Sequence, residues 1–124
     1  MVQVFKKEIP CEGLHSVTVQ SIEDIGQRET RYGVKQMLQI VFVTNQKDLE
    51  GKPIEFEYAV TKSLDAQSRL FDIATKFLNV DDLPNGWDTD DLIGARGTVV
   101  IQHKTKNNRN HPEIVQVIRH RGAQ

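Results

Sequence analysis

The sequence contains little that would cross-link the chain or anchor it in a membrane. Its 124 residues include a single cysteine, Cys11, which excludes an internal disulfide and any zinc site built from two or more cysteines. It has no run of about 18 apolar residues, the length that a transmembrane helix needs. Residues 1–7 lack the long apolar stretch and the cleavage site of a signal peptide. We therefore expect a cytoplasmic protein with no membrane segment.

Catalytic and cofactor-binding motifs are also missing. The four histidines show no HxH or HExxH spacing, and no glycine-rich phosphate-binding loop is present. An EF-hand that began at Asp81 would need Asp or Asn at 83 and Glu at 92, where leucines stand. Cys11 and His15 lie close in sequence, but no third group completes a nucleophile and base. We expect no catalytic residue, no metal and no cofactor.

Charge is distributed unevenly along a chain whose net charge is only −1. Residues 1–93 carry ten Lys and Arg against sixteen Asp and Glu, whereas residues 94–124 carry six Lys and Arg against Glu113 alone. A basic segment on an acidic body indicates a local surface for an anionic partner.

Hydrophobic periodicity predicts one domain over residues 1–124, with a weakly patterned leader (1–12) and a short basic tail (120–124). Period-two alternation predicts strands over 14–25, 34–44, 54–60, 97–103 and 114–119, with polar loops over 26–33, 45–53, 79–93 and 104–111. Helical spacing predicts a helix over 64–78 with Ser63 as its N-cap. The order β-β-β-α-β-β is that of the OB-fold, a five-stranded Greek-key barrel that is all-β apart from one helix. A split-sheet α+β domain is the alternative.

Apolar residues of these segments form the predicted core. The strands contribute Val17, Val19, Leu38, Ile40, Phe42, Phe56, Tyr58, Val99, Ile101, Val115 and Val117. The helix contributes Leu70, Ile73, Ala74, Phe77 and Leu78, which would pack against the open end of the barrel.

Two predicted hairpin loops are basic and rich in hydrogen-bonding side chains. In an OB-fold, the first and last hairpin loops flank the ligand face of strands two and three. The candidate ligand-binding residues in and beside these loops are Arg28, Arg31, Tyr32, Lys35, Lys104, Lys106, Asn108 and Arg109. Lysine and arginine neutralise phosphates, and Tyr32 offers a ring face to a base. The sequence therefore predicts binding of a single-stranded nucleic acid.

Aromatic residues limit this interface, because the chain has only eight and five of them are needed in the core. Phe5, Tyr32 and Trp87 remain as stacking candidates, although the position of Trp87 favours a cap on the barrel end. Glu55 and Glu57 lie on the outward face of the third strand, where they would repel phosphate. We therefore expect phosphate contacts to avoid that stretch, or the affinity to be modest.

Two segments resemble small OB-fold proteins of phages and bacterial mobile elements that bind single-stranded DNA. One is Leu92 to His103, which has their leucine-x-glycine-x-x-glycine motif leading into the fourth strand, and the other is Tyr32 to Phe42, which resembles their second strand. The similarity covers about residues 14–119. It implies non-catalytic binding of single strands during replication or recombination. The acidic tail by which bacterial members recruit partners has no counterpart in the predicted basic tail.

Other functions stay open at this point. The chain could be a protein–protein OB module, an accessory subunit of a larger complex, with the acidic loop 81–91 as a docking surface. A barrel that binds oligosaccharides or small ligands is a third interpretation, but it would normally need more exposed aromatic residues. The sequence does not decide between DNA and RNA, nor whether the chain forms homo-oligomers.

Overall fold

A computed structural model describes residues 8–119. The elements in chain order are β1 (Gly13–Thr30), β2 (Gly33–Lys47), β3 (Pro53–Thr61), α1 (Arg69–Leu78), a short 3-10 helix (Thr89–Leu92), β4 (Arg96–Lys106) and β5 (Arg109–Ile118). The prediction of a mostly β protein with one α-helix is confirmed for this part of the chain. The predicted basic tail (120–124) and the first seven residues of the leader lie outside the described residues. Among residues 8–119, no helix has both the length and the apolar character needed to span a membrane.

All five strands form one antiparallel sheet, in the spatial order β3-β2-β1-β4-β5. The edge strands β3 and β5 are not paired by backbone hydrogen bonds within residues 8–119, so the sheet is not closed. The sheet curls until these two edges approach each other. Across this seam, Tyr58 Oη on β3 donates to the carbonyl oxygen of Ile114 on β5 over 3.3 Å.

β1 pairs with two neighbours because it is long and bent. It pairs with β4 over residues 13–18 and with β2 over residues 17–30. Gln20 and Ile25 are extra residues relative to β2, and such bulges bend a strand and increase its twist. Gly26 follows the second bulge with φ 77°, a left-handed conformation that glycine adopts without strain.

The core lies inside the curled sheet. Its buried apolar residues are Val17, Val19, Leu38, Ile40, Phe42, Phe56, Val60, Leu70, Ile73, Ala74, Phe77, Leu92, Val99, Ile101, Ile114 and Val117. The rings of Phe42 and Phe56 stack with their centroids 5.3 Å apart. Tyr58 and Leu78, both predicted to be in the core, are half-buried at its edge.

The predicted burial of Val115 is wrong. Val115 is 36% exposed, whereas its neighbour Ile114 is 2% exposed and belongs to the core. The cause is a bulge, because Gln116 pairs with Val100 and Ile114 pairs with Ile101, which leaves Val115 as an extra residue. An extra residue shifts the inward and outward alternation by one position.

The helix begins later than predicted. Ser68, not Ser63, is its N-cap, and Ser68 Oγ accepts a hydrogen bond from Phe71 N at 3.1 Å. The same hydroxyl donates to the carbonyl oxygen of Ser63 over 2.8 Å, so Ser63 belongs to the loop before the helix. The helix ends at Leu78, as predicted, and Asn79 follows in the left-handed conformation.

The segment before β4, residues 89–95, contacts both the helix and the sheet. Leu92 is fully buried, and the amide of Gly94 donates to the carbonyl oxygen of Val19 over 2.8 Å. Gly97 lies against the ring of Phe77, where an added Cβ would be 2.6 Å from Cζ. A side chain at position 97 would therefore require the Phe77 ring to shift.

The described end of the leader packs against the sheet. Pro10 is buried, and its carbonyl oxygen accepts a hydrogen bond from His103 Nε2 at 2.7 Å. The Cys11 amide donates to Gln46 Oε1 over 2.9 Å. These contacts fix residues 8–12 against β2 and β4.

Candidate nucleic-acid interface

The polar segment between the first two strands is a β-ribbon and not the predicted loop over 26–33. β1 and β2 stay paired until Thr30 faces Gly33, so only Arg31 and Tyr32 form the turn. Thr30 Oγ1 closes this turn by donating to the Gly33 carbonyl (2.7 Å) and accepting from Tyr32 N (3.1 Å). We call residues 27–36 the first ribbon. Residues 27–33 carry no hydrophobic alternation, which is why periodicity placed them in a loop, whereas residues 34–36 belong to the predicted second strand.

The first ribbon gathers the four candidate residues of this region. Arg28 and Lys35 are directly opposite each other, and both are exposed. Tyr32 is 78% exposed at the tip, with the Arg31 guanidinium 6.0 Å from its ring centroid. The first ribbon, about ten residues long, therefore carries three cationic side chains and one exposed aromatic ring, that of Tyr32.

One carboxylate braces the base of the first ribbon. Asp24 accepts hydrogen bonds from Gly26 N (2.9 Å), Gln36 Nε2 (2.8 Å) and Lys62 Nζ (3.1 Å). The Gly26 amide, followed by Gln36 and Lys62, lowers the pKa of Asp24. Because Lys62 follows β3, this cluster ties the ribbon to the end of that strand.

The end of β4 and the start of β5 also form a ribbon. The sequence predicted a loop over 104–111 here. Lys106 is directly opposite Arg109, and only Asn107 and Asn108 form the turn. Both asparagines have positive φ, 53° and 61°, as a type I′ hairpin turn requires. We call residues 102–113 the second ribbon. It carries Lys104, Lys106, Asn108 and Arg109, all exposed.

A groove runs between the second ribbon and β3. It comprises two adjoining cavities of about 260 and 230 Å³. The β3 wall is formed by Glu55, Phe56, Glu57, Tyr58 and Ala59, and the ribbon wall by Lys104, Lys106, Asn110, His111, Pro112 and Glu113, with Ile9 at one end. Burial raises the pKa of Tyr58, which therefore lines the groove as a neutral phenol at neutral pH.

The two groups of candidate residues occupy separate ribbons. Within residues 8–119, no hydrogen bond or ion pair links one ribbon to the other. β3 lies between them, because Thr61 pairs with Met37 near the base of the first ribbon and Glu57 lines the groove beside the second. The shared cleft predicted for both groups stays a prediction.

The other stacking candidates differ in availability. Trp87 is half-buried against the core, in the turn where its amide donates to the Pro84 carbonyl over 3.1 Å. This position fits the predicted cap better than a ligand platform. Phe5 lies outside the described residues. Tyr32 is therefore the candidate with a free ring face in the described part of the chain.

Several aspartates of the acidic loop 81–91 have local structural contacts. Asp88 Oδ1 accepts from Asp90 N at 2.9 Å and caps the 3-10 helix, and Asp82 Oδ1 accepts from Leu83 N at 2.9 Å. Arg119 pairs with Asp81 at 3.5 Å. Within residues 8–119, no three His, Cys, Asp or Glu side chains lie close enough together to hold a metal ion. The predicted docking role of this loop stays a prediction.

The Cys11 and His15 side chains do not face each other as a nucleophile and base. His15 Nε2 bonds to the carbonyl oxygen of Cys11 at 2.6 Å, and Cys11 Sγ instead accepts from Gln46 Nε2 at 3.3 Å. His15 therefore holds the backbone before β1.

Sequence reasoning identified Glu55 and Glu57 as outward acids of the third strand but missed Gln39 and Glu113 at this groove. Gln39 Nε2 donates to Glu57 Oε2 over 2.9 Å, which orients this carboxylate. Glu113 also lines the groove, although it was counted only as a lone acid in a basic segment. The sequence feature that could have revealed this contact is the alternation of β2 and β3, which puts Gln39 and Glu57 on the same outward face of the sheet.

No family model matches the chain, and no curated protein is detectably similar to it.

Proposed function

We propose that this protein is an OB-fold domain that binds single-stranded DNA without catalysis, in replication or recombination. The observation that carries the proposal is the pair of β-ribbons, each with two cations directly opposite each other: Arg28 with Lys35 and Lys106 with Arg109. Paired exposed cations on a projecting ribbon are suited to neutralising a phosphate backbone.

The sheet supports the OB-fold part of this proposal. A five-stranded Greek-key barrel of this class is partly open and binds its ligand over strands two and three, between the first and last hairpins. The order β3-β2-β1-β4-β5 is that of such a barrel opened between β3 and β5. The approach of β3 to β5 at Tyr58 and Ile114 fits the same arrangement.

Each side chain has a defined role in this proposal. The four opposed cations bind phosphates and release counterions, so they give affinity that depends on salt. Tyr32 stacks on a base, which adds affinity with little salt dependence. Asn108, at the tip of the second ribbon, donates hydrogen bonds to phosphate or sugar oxygens.

The test is fluorescence anisotropy with a labelled single-stranded oligonucleotide of about 12 nucleotides, titrated at several salt concentrations between about 50 and 200 mM. Arg28→Ala/Lys35→Ala and Lys106→Ala/Arg109→Ala should each lower the salt slope by about 0.7 for every phosphate that is no longer neutralised. Lys47→Ala/Lys52→Ala is the matched control, because these exposed lysines lie outside both ribbons.

Tyr32→Ala should act differently from the charge variants. Loss of a stacked base should weaken binding by about 1–3 kcal/mol with the salt slope unchanged. If the wild-type protein binds no single strand, or both ribbon variants behave like the lysine control, the proposal is wrong. Affinity for a protein partner that survives high salt would then favour the accessory-subunit function.

A further inference from the structure

The two walls of the groove beside the second ribbon differ in charge. Lys104 and Lys106 stand on the ribbon wall with one acid, Glu113, whereas the charged residues of the β3 wall are Glu55 and Glu57. A phosphate that enters this groove is attracted to the two lysines and repelled by Glu55 and Glu57, so a bound strand is favoured with its backbone toward the ribbon wall.

The acidic wall is held in place by the sheet. Glu57 is exposed at the groove, and Gln39 Nε2 holds its Oε2 at 2.9 Å. Among residues 8–119, its other oxygen, Oε1, accepts no hydrogen bond. An oriented carboxylate with a free oxygen is a hydrogen-bond acceptor and cannot donate.

We infer that Glu57 selects bases that carry an exocyclic amino group, while the second ribbon holds the phosphates; this inference rests on the proposed function. Cytosine, adenine and guanine each present an NH₂ group that a carboxylate can accept from. Thymine presents carbonyl oxygens on both sides of its single N–H, and these repel a carboxylate. The groove therefore discriminates against thymine.

Apolar lining residues support a base in this position. Tyr58 and Ala59 on the β3 wall and Pro112 on the ribbon wall supply apolar contact beside the charged side chains. A base seated there would have an apolar contact surface, its amino edge toward Glu57, and its backbone toward Lys104 and Lys106.

The test compares dC and dT oligonucleotides of about 12 nucleotides, two pyrimidine strands of equal charge, at mildly alkaline pH and one salt concentration. We expect the dC strand to bind about tenfold more tightly than the dT strand, equivalent to about 1.4 kcal/mol. Glu57→Gln keeps the side-chain shape and adds an amide that can donate to thymine. This variant should bring the ratio close to one, mainly by tightening dT binding.

Glu50→Gln is the matched control. Glu50 lies exposed in the β2–β3 turn, outside the groove, and its substitution removes the same charge. It should leave the dC to dT ratio unchanged, which separates base selection from a general charge effect. Equal wild-type affinities, or a ratio that Glu57→Gln leaves unchanged, overturn the inference while the proposed function stands. Failure to bind either strand overturns both.

Discussion

Gly97→Ala tests whether the close contact between helix α1 and β4 is as tight as the structure indicates. Gly97 does not have a positive φ, so alanine suits its backbone. Without a steric conflict, alanine would stabilise the fold by about 0.4–1 kcal/mol, because it restricts the unfolded chain. The added Cβ would instead lie 2.6 Å from Phe77 Cζ, and closer still to Cε1 and Cδ1. Ordinary carbon–carbon contacts are about 3.5–4.0 Å, so the ring must move.

Core packing restricts the ring, although a cavity of about 350 Å³ lined by Phe77 and Gly97 gives it some space on the surface. Phe77 is 8% exposed, and it packs edge-on against Phe42 with centroids 6.0 Å apart. Overpacking of this kind costs about 1–3 kcal/mol, which outweighs the gain from the backbone. We therefore expect Gly97→Ala to lower the free energy of unfolding by about 1–3 kcal/mol.

Equilibrium urea unfolding measures this change, provided that the m-value stays constant. Phe77→Leu is the partner variant, because it removes the ring that the new Cβ would meet. The double variant should be less destabilised than the sum of the two single variants, by an interaction energy on the order of 1 kcal/mol. If Gly97→Ala is as stable as the wild type, or if the two changes are additive, Gly97 and Phe77 do not pack in the way that this prediction requires.

The remaining predictions concern single side chains. Tyr58→Phe should cost about 1 kcal/mol at neutral pH by removing the hydrogen bond to Ile114, as urea unfolding would measure. Burial raises the pKa of Tyr58 in the folded state, so above pH 10.0, the ordinary pKa of tyrosine, the unfolded state loses its proton first. The wild type should therefore lose stability relative to Tyr58→Phe as the pH rises above 10.0. A stability difference between the two proteins that does not change with pH would contradict this. Ser68→Ala should lower the free energy of unfolding by about 1 kcal/mol, because it removes the N-cap of α1, and Ser63→Ala should lower it less. Equal losses in urea unfolding would contradict the assignment of Ser68 as the N-cap. Cys11→Ser should leave oligonucleotide affinity unchanged in the anisotropy assay, and loss of binding would give the thiol a role.

The strands β2 and β3 could be predicted because one face of each is buried. In β2 and β3, buried inward residues alternate with less buried outward ones, and the observed pairing of Phe42 with Phe56 follows that alternation. β5 could not be assigned in the same way. Ile114, Val115 and Val117 are all β-formers, and only the pairing with β4 reveals the bulge that turns Val115 outward.

The ribbons and the helix start show why local signals were insufficient elsewhere. Ribbon residues are exposed on both faces, so their pairing depends on backbone hydrogen bonds and turn geometry and leaves no hydrophobic pattern. The helix had two plausible caps, Ser63 and Ser68, and both are good N-cap residues. In the structure the helix begins directly after Ser68, and this start places Leu70, its second residue, in the core.

The residue types of the candidate site could be predicted, but their mutual placement could not. The sequence identifies Arg28, Lys35, Lys106 and Arg109 as cations of two polar segments, whereas the register makes each pair directly opposite. Like charges in that arrangement repel and weaken a hairpin. The cost stays small because both tips are exposed and solvent and salt screen the repulsion. A phosphate placed between two such cations would replace this repulsion with two attractions, so a net charge of −1 on the whole chain is no obstacle to binding a polyanion at the ribbons.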